Sequence, residues 1–372
     1  MPARGQGPNG LRAVGSVAVR TFATHQHMTT PPQMMDGLHV NAMAGNESGR
    51  DTAHLADFAE MPEGHFYDPD AEYEPDPEYA ATLAPDAARQ RRERIGPTGR
   101  PLPYFPIPGP LTEHGPAKII AMCNQKGGVG KTTSTINLGA ALAEYGRRVL
   151  LVDFDPQGAL SVGLGVNPME LDLTVYNLLM ERGMTADEVL LKTAVPNMDL
   201  LPSNIDLSAA EVQLVSEVAR ESTLQRALKP LMADYDYIVI DCQPSLGLLT
   251  VNALTAAHKV IVPLECEFFA LRGVALLTET IEKVQERLNP ELELDGILAT
   301  MYDSRTVHSR EVLARVVEAF DDHVYHTVIG RTVRFPETTV AGEPITTYAS
   351  NSVGAAAYRQ LAREVLARCH AE

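Results

Sequence analysis

The 372-residue chain carries 48 acidic and 31 basic side chains, a formal net charge of -17, with 45% hydrophobic residues. That composition suits one large α/β domain plus an extension, and no apolar run approaches the length needed to cross a bilayer. So acidic a chain cannot coat nucleic acid by bulk attraction. Any such contact has to be a local basic patch, weak and salt-sensitive.

Taken in chain order, residues 1–116 read as a disordered, acidic and Pro-rich extension. Between Asp51 and Asp86 there are eleven acids and no Lys or Arg; "RQRRERIGPTGR" and the Pro-rich "PLPYFPIPGP" follow. Few aliphatic residues among many charges and prolines bury too little surface to offset chain entropy. The first thirty residues hold three arginines and no acid, superficially like a transit peptide, but Pro and Gly interrupt any amphipathic helix there. Phe66, Tyr67, Tyr73 and Tyr79 among the acids have the makings of a short docking motif, against a plain solvated linker.

From Lys118 the texture changes. "KIIAMC" is a short apolar strand that runs into a glycine loop, and "TTSTINLGAALAEYG" is a helix. "RRVLLVDFD" and "MDLLPS" predict two more strands; "DLSAAEVQLVSEVARE" and "STLQRALKPLM" predict helices. "YDYIVIDCQPS", "HKVIVPLEC", "LDGILATMYD" and "VYHTVIG" supply four further strands, with "GVALLTETIEKVQERL" and "SREVLARVVEAF" as helices beside them. The final "GAAAYRQLAREVLARC" places Tyr358, Leu361, Ala362, Val365 and Cys369 on one helical face that docks on the core. Strands alternating with helices give an α/β domain over 117–372, a mostly parallel twisted sheet covered on both faces. There is no internal repeat. The four cysteines (Cys123, Cys242, Cys266, Cys369) lack C-x-x-C spacing and read as reduced thiols.

The chemistry concentrates in "KGGVGKTT", Lys126, Gly127, Gly128, Val129, Gly130, Lys131, Thr132 and Thr133. A strand, a Gly-rich turn and a helix beginning at Lys131 trap phosphate, because glycines let backbone N–H groups approach and the helix N-terminus adds partial positive charge. In such a P-loop Lys131 contacts the β and γ phosphates of ATP and the Thr132 hydroxyl ligates Mg²⁺. Asp241, after "YIVI", has the Walker B position and holds a Mg²⁺-bound water. "LLVDFDPQG" ends in Asp153 and Asp155 on one strand face. Asp155 reaches the γ-phosphate region and orients the attacking water, whereas Asp153 caps the next element. Lys126 is the oddity: it stands where most such loops place their first glycine.

"KGGVGKTT", "VLLVDFDPQG", "IDCQPSLG", "TMYDSRT" and "RTVRFPE" occur in the order and spacing of ParA-type chromosome-partition ATPases of the Soj branch, which residues 118 to about 370 resemble. The resemblance implies that Lys126 crosses an ATP-dependent homodimer to the partner's nucleotide, with Gly127 at the dimer seam and catalysis resting on Lys126, Lys131 and Asp155. It implies a Mg-dependent ATPase in the cytoplasm, associated with the nucleoid, with a ParB-type centromere-binding protein as partner and no membrane contact. It also implies non-specific DNA binding by Arg305 and Arg334, helped by Arg331 or Arg310. By themselves these arginines read as exposed or intramolecularly paired side chains.

The chain departs from the branch at Gly330 and Thr332, near the expected adenine site, at Gln243, and at Ala159. His323 and His326 lack partner ligands and read as solvated. A MinD-like membrane helix, an iron–sulfur cysteine pair and an N-terminal helix-turn-helix are not legible. A ParA-like or MinD-like ATPase that positions another cargo stays open.

Overall fold

A computed structural model describes residues 94–267 and 270–370, with the His370 side chain left aside. The expectations for residues 1–93, including the acidic run and its tyrosines, lie outside the described residues.

Seven strands form one sheet: β1 (Lys118–Met122), β2 (Val149–Phe154), β3 (Leu191–Lys192), β4 (Met198–Leu201), β5 (Tyr237–Cys242), β6 (Lys259–Glu265) and β7 (Glu293–Thr300). Their order is β3-β4-β2-β5-β1-β6-β7, parallel throughout except for β3, which pairs antiparallel with β4 at one edge. The strands read as continuous apolar runs because helices cover both faces. Alternation decides which face each residue feeds. Ile119, Ala121, Leu150, Val152, Ile238 and Ile240 enter one core, whereas Ile120, Met122, Val149, Leu151, Tyr237 and Val239 enter the other. On that second side the helix Lys131–Glu144 packs against the closing helix Val353–His370, whose Tyr358, Leu361, Ala362 and Val365 are buried.

Three expected elements come out differently. "VYHTVIG" makes only isolated bridges, Val324 to Ile297 and Gly330 to Tyr302, so the fourth later strand is absent among the described residues. The long helix over 206–221 stops at Gln213 and gives way to short 3-10 turns around Ala219 at φ +52°. The next helix covers Thr223–Leu228 and tightens into a 3-10 turn at Lys229–Ala233, where Pro230 brings no N–H. His326 is half-buried rather than solvated, with its ring 6.5 Å from that of Phe105 and its pKa lowered by burial.

Residues 94–116 show why a proline-rich stretch need not leave the body. They carry almost no regular structure, yet side chains fasten them. Arg100 donates to the Asp321 carbonyl at 2.8 Å and to that of Val324. The buried Arg147 donates to the Gly109 carbonyl at 2.9 Å. Asp236 closes the strap, accepting from the Arg148 N–H at 2.7 Å and the Gly115 N–H at 2.9 Å, and pairing with His114 Nδ1 at 2.8 Å. Burial alone would raise the Asp236 pKa, but these bonds outweigh it and hold the carboxyl below its ordinary value.

A depressed carboxyl pKa contributes stability above the ordinary carboxylate range, lost as pH falls through the folded value. Asp236→Ala is therefore expected to cost about 2–3 kcal/mol at pH 7, because it leaves three donors unpaired. The wild-type advantage in urea unfolding should vanish under acid conditions.

Candidate nucleotide site

The site lies at the carboxyl ends of the central strands, where parallel sheets place ligands. The loop after β1 is held open by its own fastenings. Asn124 donates to the Pro263 carbonyl at 2.7 Å and accepts from the Lys126 N–H at 2.9 Å. Thr300, at the end of β7, donates to the Val129 carbonyl at 2.8 Å. Gly128 and Gly130 take φ of +75° and +84°, a left-handed conformation that would strain any other residue here. The helix Lys131–Glu144 starts on Gly130 without a side-chain cap, so its first-turn N–H groups face the loop mouth.

Lys131 is 6% exposed, and its ammonium donates to the Lys126 carbonyl across the loop at 3.1 Å. Next to it the Thr132 hydroxyl donates to Asp241 Oδ2 at 2.6 Å. Thr133 occupies the same first turn, and its carbonyl accepts from Asn137.

Asp153 and Asp241 are register partners on β2 and β5, both fully buried. Burial raises Asp153 to about 7 against the opposing bonds from Ser161, whose N–H and hydroxyl both donate to Oδ2. Burial and the neighbouring Asp153 charge raise Asp241 to about 8, against Thr132 and Lys131. Asp153 thus caps the short helix Ala159–Gly163 and also belongs to the acidic pair. Asp155, two residues further along, is partly exposed, and its Oδ1 accepts from the Gln157 N–H at 3.0 Å.

The Lys126 side chain is 45% exposed and folds back on its own chain, ion-paired to Glu265 at 3.0 Å and to Glu267. Burial works against its charge, but the bonds to Glu267 and Glu265 outweigh it and raise the pKa. Glu265 also accepts from Arg331 at 3.1 Å. Gly127 has room: a Cβ there would meet only Pro244, at 4.0 Å. Gln243 donates to Glu211 at 3.3 Å.

Arg305 and Arg334 stand on neighbouring segments. The Tyr302 N–H donates to the Ile329 carbonyl and the Arg331 N–H to the Tyr302 carbonyl, both at 3.0 Å. Arg305 is 87% exposed and grips Asp303 with two bonds of 2.9 Å. Arg334 is 55% exposed and pairs with Glu337 at 2.9 Å. The structure places the loop residues together at the start of the helix Lys131–Glu144, and around them stand Asn124, Ser161, Glu265, Glu267 and Thr300. No motif spacing marks these five: Asn124, Glu265, Glu267 and Thr300 act through contacts distant in sequence, and Ser161 through a turn whose form depends on the fold.

The fold and the loop together define a P-loop nucleotide-binding domain. A family model described as an AAA domain matches residues 117–294. A protein of Mycobacterium tuberculosis described only as uncharacterized is 69% identical over 274 residues, covering 74% of this chain and 86% of that protein. The chromosome-partitioning ATPase Soj of Treponema pallidum is 49% identical over 251 residues, covering 68% and 98%. A solved Mycobacterium smegmatis structure, described as cobyrinic acid a,c-diamide synthase with bound ADP and magnesium, has a TM-score of 0.61 at 46% identity. It covers 68% of this chain and 96% of that one. The chain belongs to the ParA/Soj family of chromosome-partitioning ATPases. Among the described residues no helix is long and apolar enough to cross a membrane.

Two adjacent desolvated carboxylates weaken a nucleotide-free fold. A raised carboxyl pKa means stability that is full below the unfolded value and lost as pH rises through about 8. Asp241→Asn should therefore raise the melting temperature of the nucleotide-free protein by about 2–4 °C at alkaline pH. The gain should disappear near pH 4, the ordinary carboxylate pKa. Calorimetry across that range checks the sign.

Proposed function

We propose that this chain is an ATP-driven partition ATPase whose ATP-bound dimer holds DNA without reading sequence and lets go on hydrolysis, stimulated by a ParB-type partner. The observation that carries the reading is the doubled lysine. Lys131 faces inward at its own loop, whereas Lys126 faces out at the loop's edge with only exchangeable partners.

The residues fit ATP and Mg²⁺. Uncapped N–H groups, two left-handed glycines and the buried Lys131 suit a polyphosphate, and a hydroxyl beside a carboxylate suits a hard divalent cation. Bound Mg²⁺ would neutralise charge across the β and γ phosphates, held by Thr132 and, through a water, by Asp241. Lys131 binds the same phosphates and keeps them in place. Asp155, partly exposed beside the loop and so open to water, orients the nucleophile. Lys126 exchanges Glu265 and Glu267 for the partner's nucleotide. Exposed ion pairs contribute less than about 1 kcal/mol, so the exchange meets little resistance. The same holds for Arg305 and Arg334, whose local carboxylate partners compete weakly with DNA phosphates. The name of the M. smegmatis structure points to ATP-driven amide formation. The Soj relative matches this chain at 49% identity over 98% of its own length, and we follow it.

Lys126→Ala should retain ADP binding but show no ATP-dependent dimer by sedimentation. Gly127→Val should fold, bind ATP and stay monomeric. Asp155→Ala should keep nucleotide and lose about 10²-fold or more in turnover. A dimer formed by Lys126→Ala sinks the cross-subunit role.

Arg305→Glu or Arg334→Glu should weaken DNA binding while ATP-dependent dimerisation persists, and the double change should abolish it. Each lost phosphate contact should flatten the log–log salt dependence by roughly 0.9. Fluorescence anisotropy on two unrelated duplexes across a salt series decides this. A strong preference for one duplex, or unimpaired binding by the double variant, overturns it.

A further inference from the structure

The arginine helix Arg334–Ala341 is tied to the nucleotide site at both of its ends. At its start, Phe335 lies edge-on to Tyr358 with ring centroids 5.8 Å apart, and the Tyr358 hydroxyl is 3.1 Å from that of Ser134 on the phosphate-loop helix. Just beyond its end, the Ile345 N–H donates to Asn137 of that same helix at 2.7 Å, and Asn137 in turn donates to the Thr133 carbonyl at 2.8 Å.

The closest approach is between two backbones. Gly342 caps the arginine helix at φ +70°, and Gly165, at φ +78°, follows the short helix Ala159–Gly163. A Cβ on Gly342 would lie 2.7 Å from the Gly165 Cα and 2.9 Å from its nitrogen. That short helix is the element that holds Asp153 through Ser161 and follows the Asp155 turn. Between the three helices lies a cleft of about 180 Å³ lined by Thr132, Thr133, Asn137, Ala159, Thr338 and Thr339. Any shift of the Asp153–Gly165 segment that accompanies a change of nucleotide therefore pushes directly on the end of the arginine helix. There is no side chain between them to absorb it.

We infer that the Gly165–Gly342 contact sets the position of Arg334 according to the state of the nucleotide site, making both glycines positioning residues for DNA binding. The inference rests on the DNA-binding reading above and adds how that binding is controlled.

Gly342→Asn is the informative change. Asparagine tolerates the left-handed conformation, so the remaining perturbation is its Cβ against Gly165. Gly146→Asn is the control, at φ +75° with nothing within 4 Å of its Cβ position. With an ATP analogue present, Gly342→Asn should dimerise normally. It should bind DNA at least tenfold more weakly, with a salt slope lower by roughly 0.9 per lost phosphate contact. Its loss should not add to that of Arg334→Ala, because both remove the same contact. The control should match wild type in every respect.

Amide hydrogen exchange on wild-type protein supplies a second, substitution-free readout. Residues 334–341 should exchange more slowly with the ATP analogue than with ADP, before any DNA is added. Wild-type DNA binding by a folded Gly342→Asn, full additivity with Arg334→Ala, or equal exchange in the two nucleotide states each overturns the coupling. If wild type binds no DNA, the proposed function fails, and the exchange measurement still decides whether the helix answers to nucleotide.

Discussion

Asp153 and Asp241 stand side by side at the carboxyl ends of β2 and β5, removed from water. Desolvation raises the pKa of both carboxyls, and the nucleotide face is arranged around this acidic pair. Thr132 and Lys131 lean toward Asp241, and Ser161 turns both its donors on Asp153. A protein selected for stability alone would place apolar side chains at these positions. Carboxylates there make sense in a site that receives positive charge along with its ligand.

Electrostatics on the outer side of the loop works with smaller energies. Glu265 accepts from Lys126 on one side and from Arg331 on the other, and Glu267 adds a second carboxylate to the lysine. These pairs are partly exposed, so each is weak and exchangeable. Arg305 and Arg334 are neutralised in the same manner by Asp303 and Glu337. In a chain of net charge -17, local pairing leaves little unshielded positive surface. A phosphate contact there, as proposed, would have to displace carboxylates that sit close by, which suits reversible binding.

Much of this was legible in the residues themselves. The continuous apolar strands, the glycine loop, the helix beginning at Lys131 and the strand-end aspartates all follow from local sequence, because strand and helix periodicities and left-handed glycines are local properties. The fold class and the docked face of the closing helix follow for the same reason. Local pattern failed where an apolar stretch runs beside a strand without a continuous ladder: "VYHTVIG" bonds to β7 at Ile297 and Ala299 yet makes only isolated bridges. It failed again over residues 94–116, whose prolines suggested a free chain, because Arg100, Arg147 and Asp236 fasten that segment through contacts made far along the sequence.

The sequence by itself determined that a P-loop stands on a parallel sheet, since a strand, a glycine turn and a helix follow one another along a single short stretch. Only the tertiary structure decided that Asp153 joins Asp241, that Lys126 is held by Glu265 and Glu267, and that Gly165 touches Gly342. Each of these depends on which strands become neighbours and how closely two helices approach. Register and packing distance are set by the whole core, and no short stretch of residues encodes them.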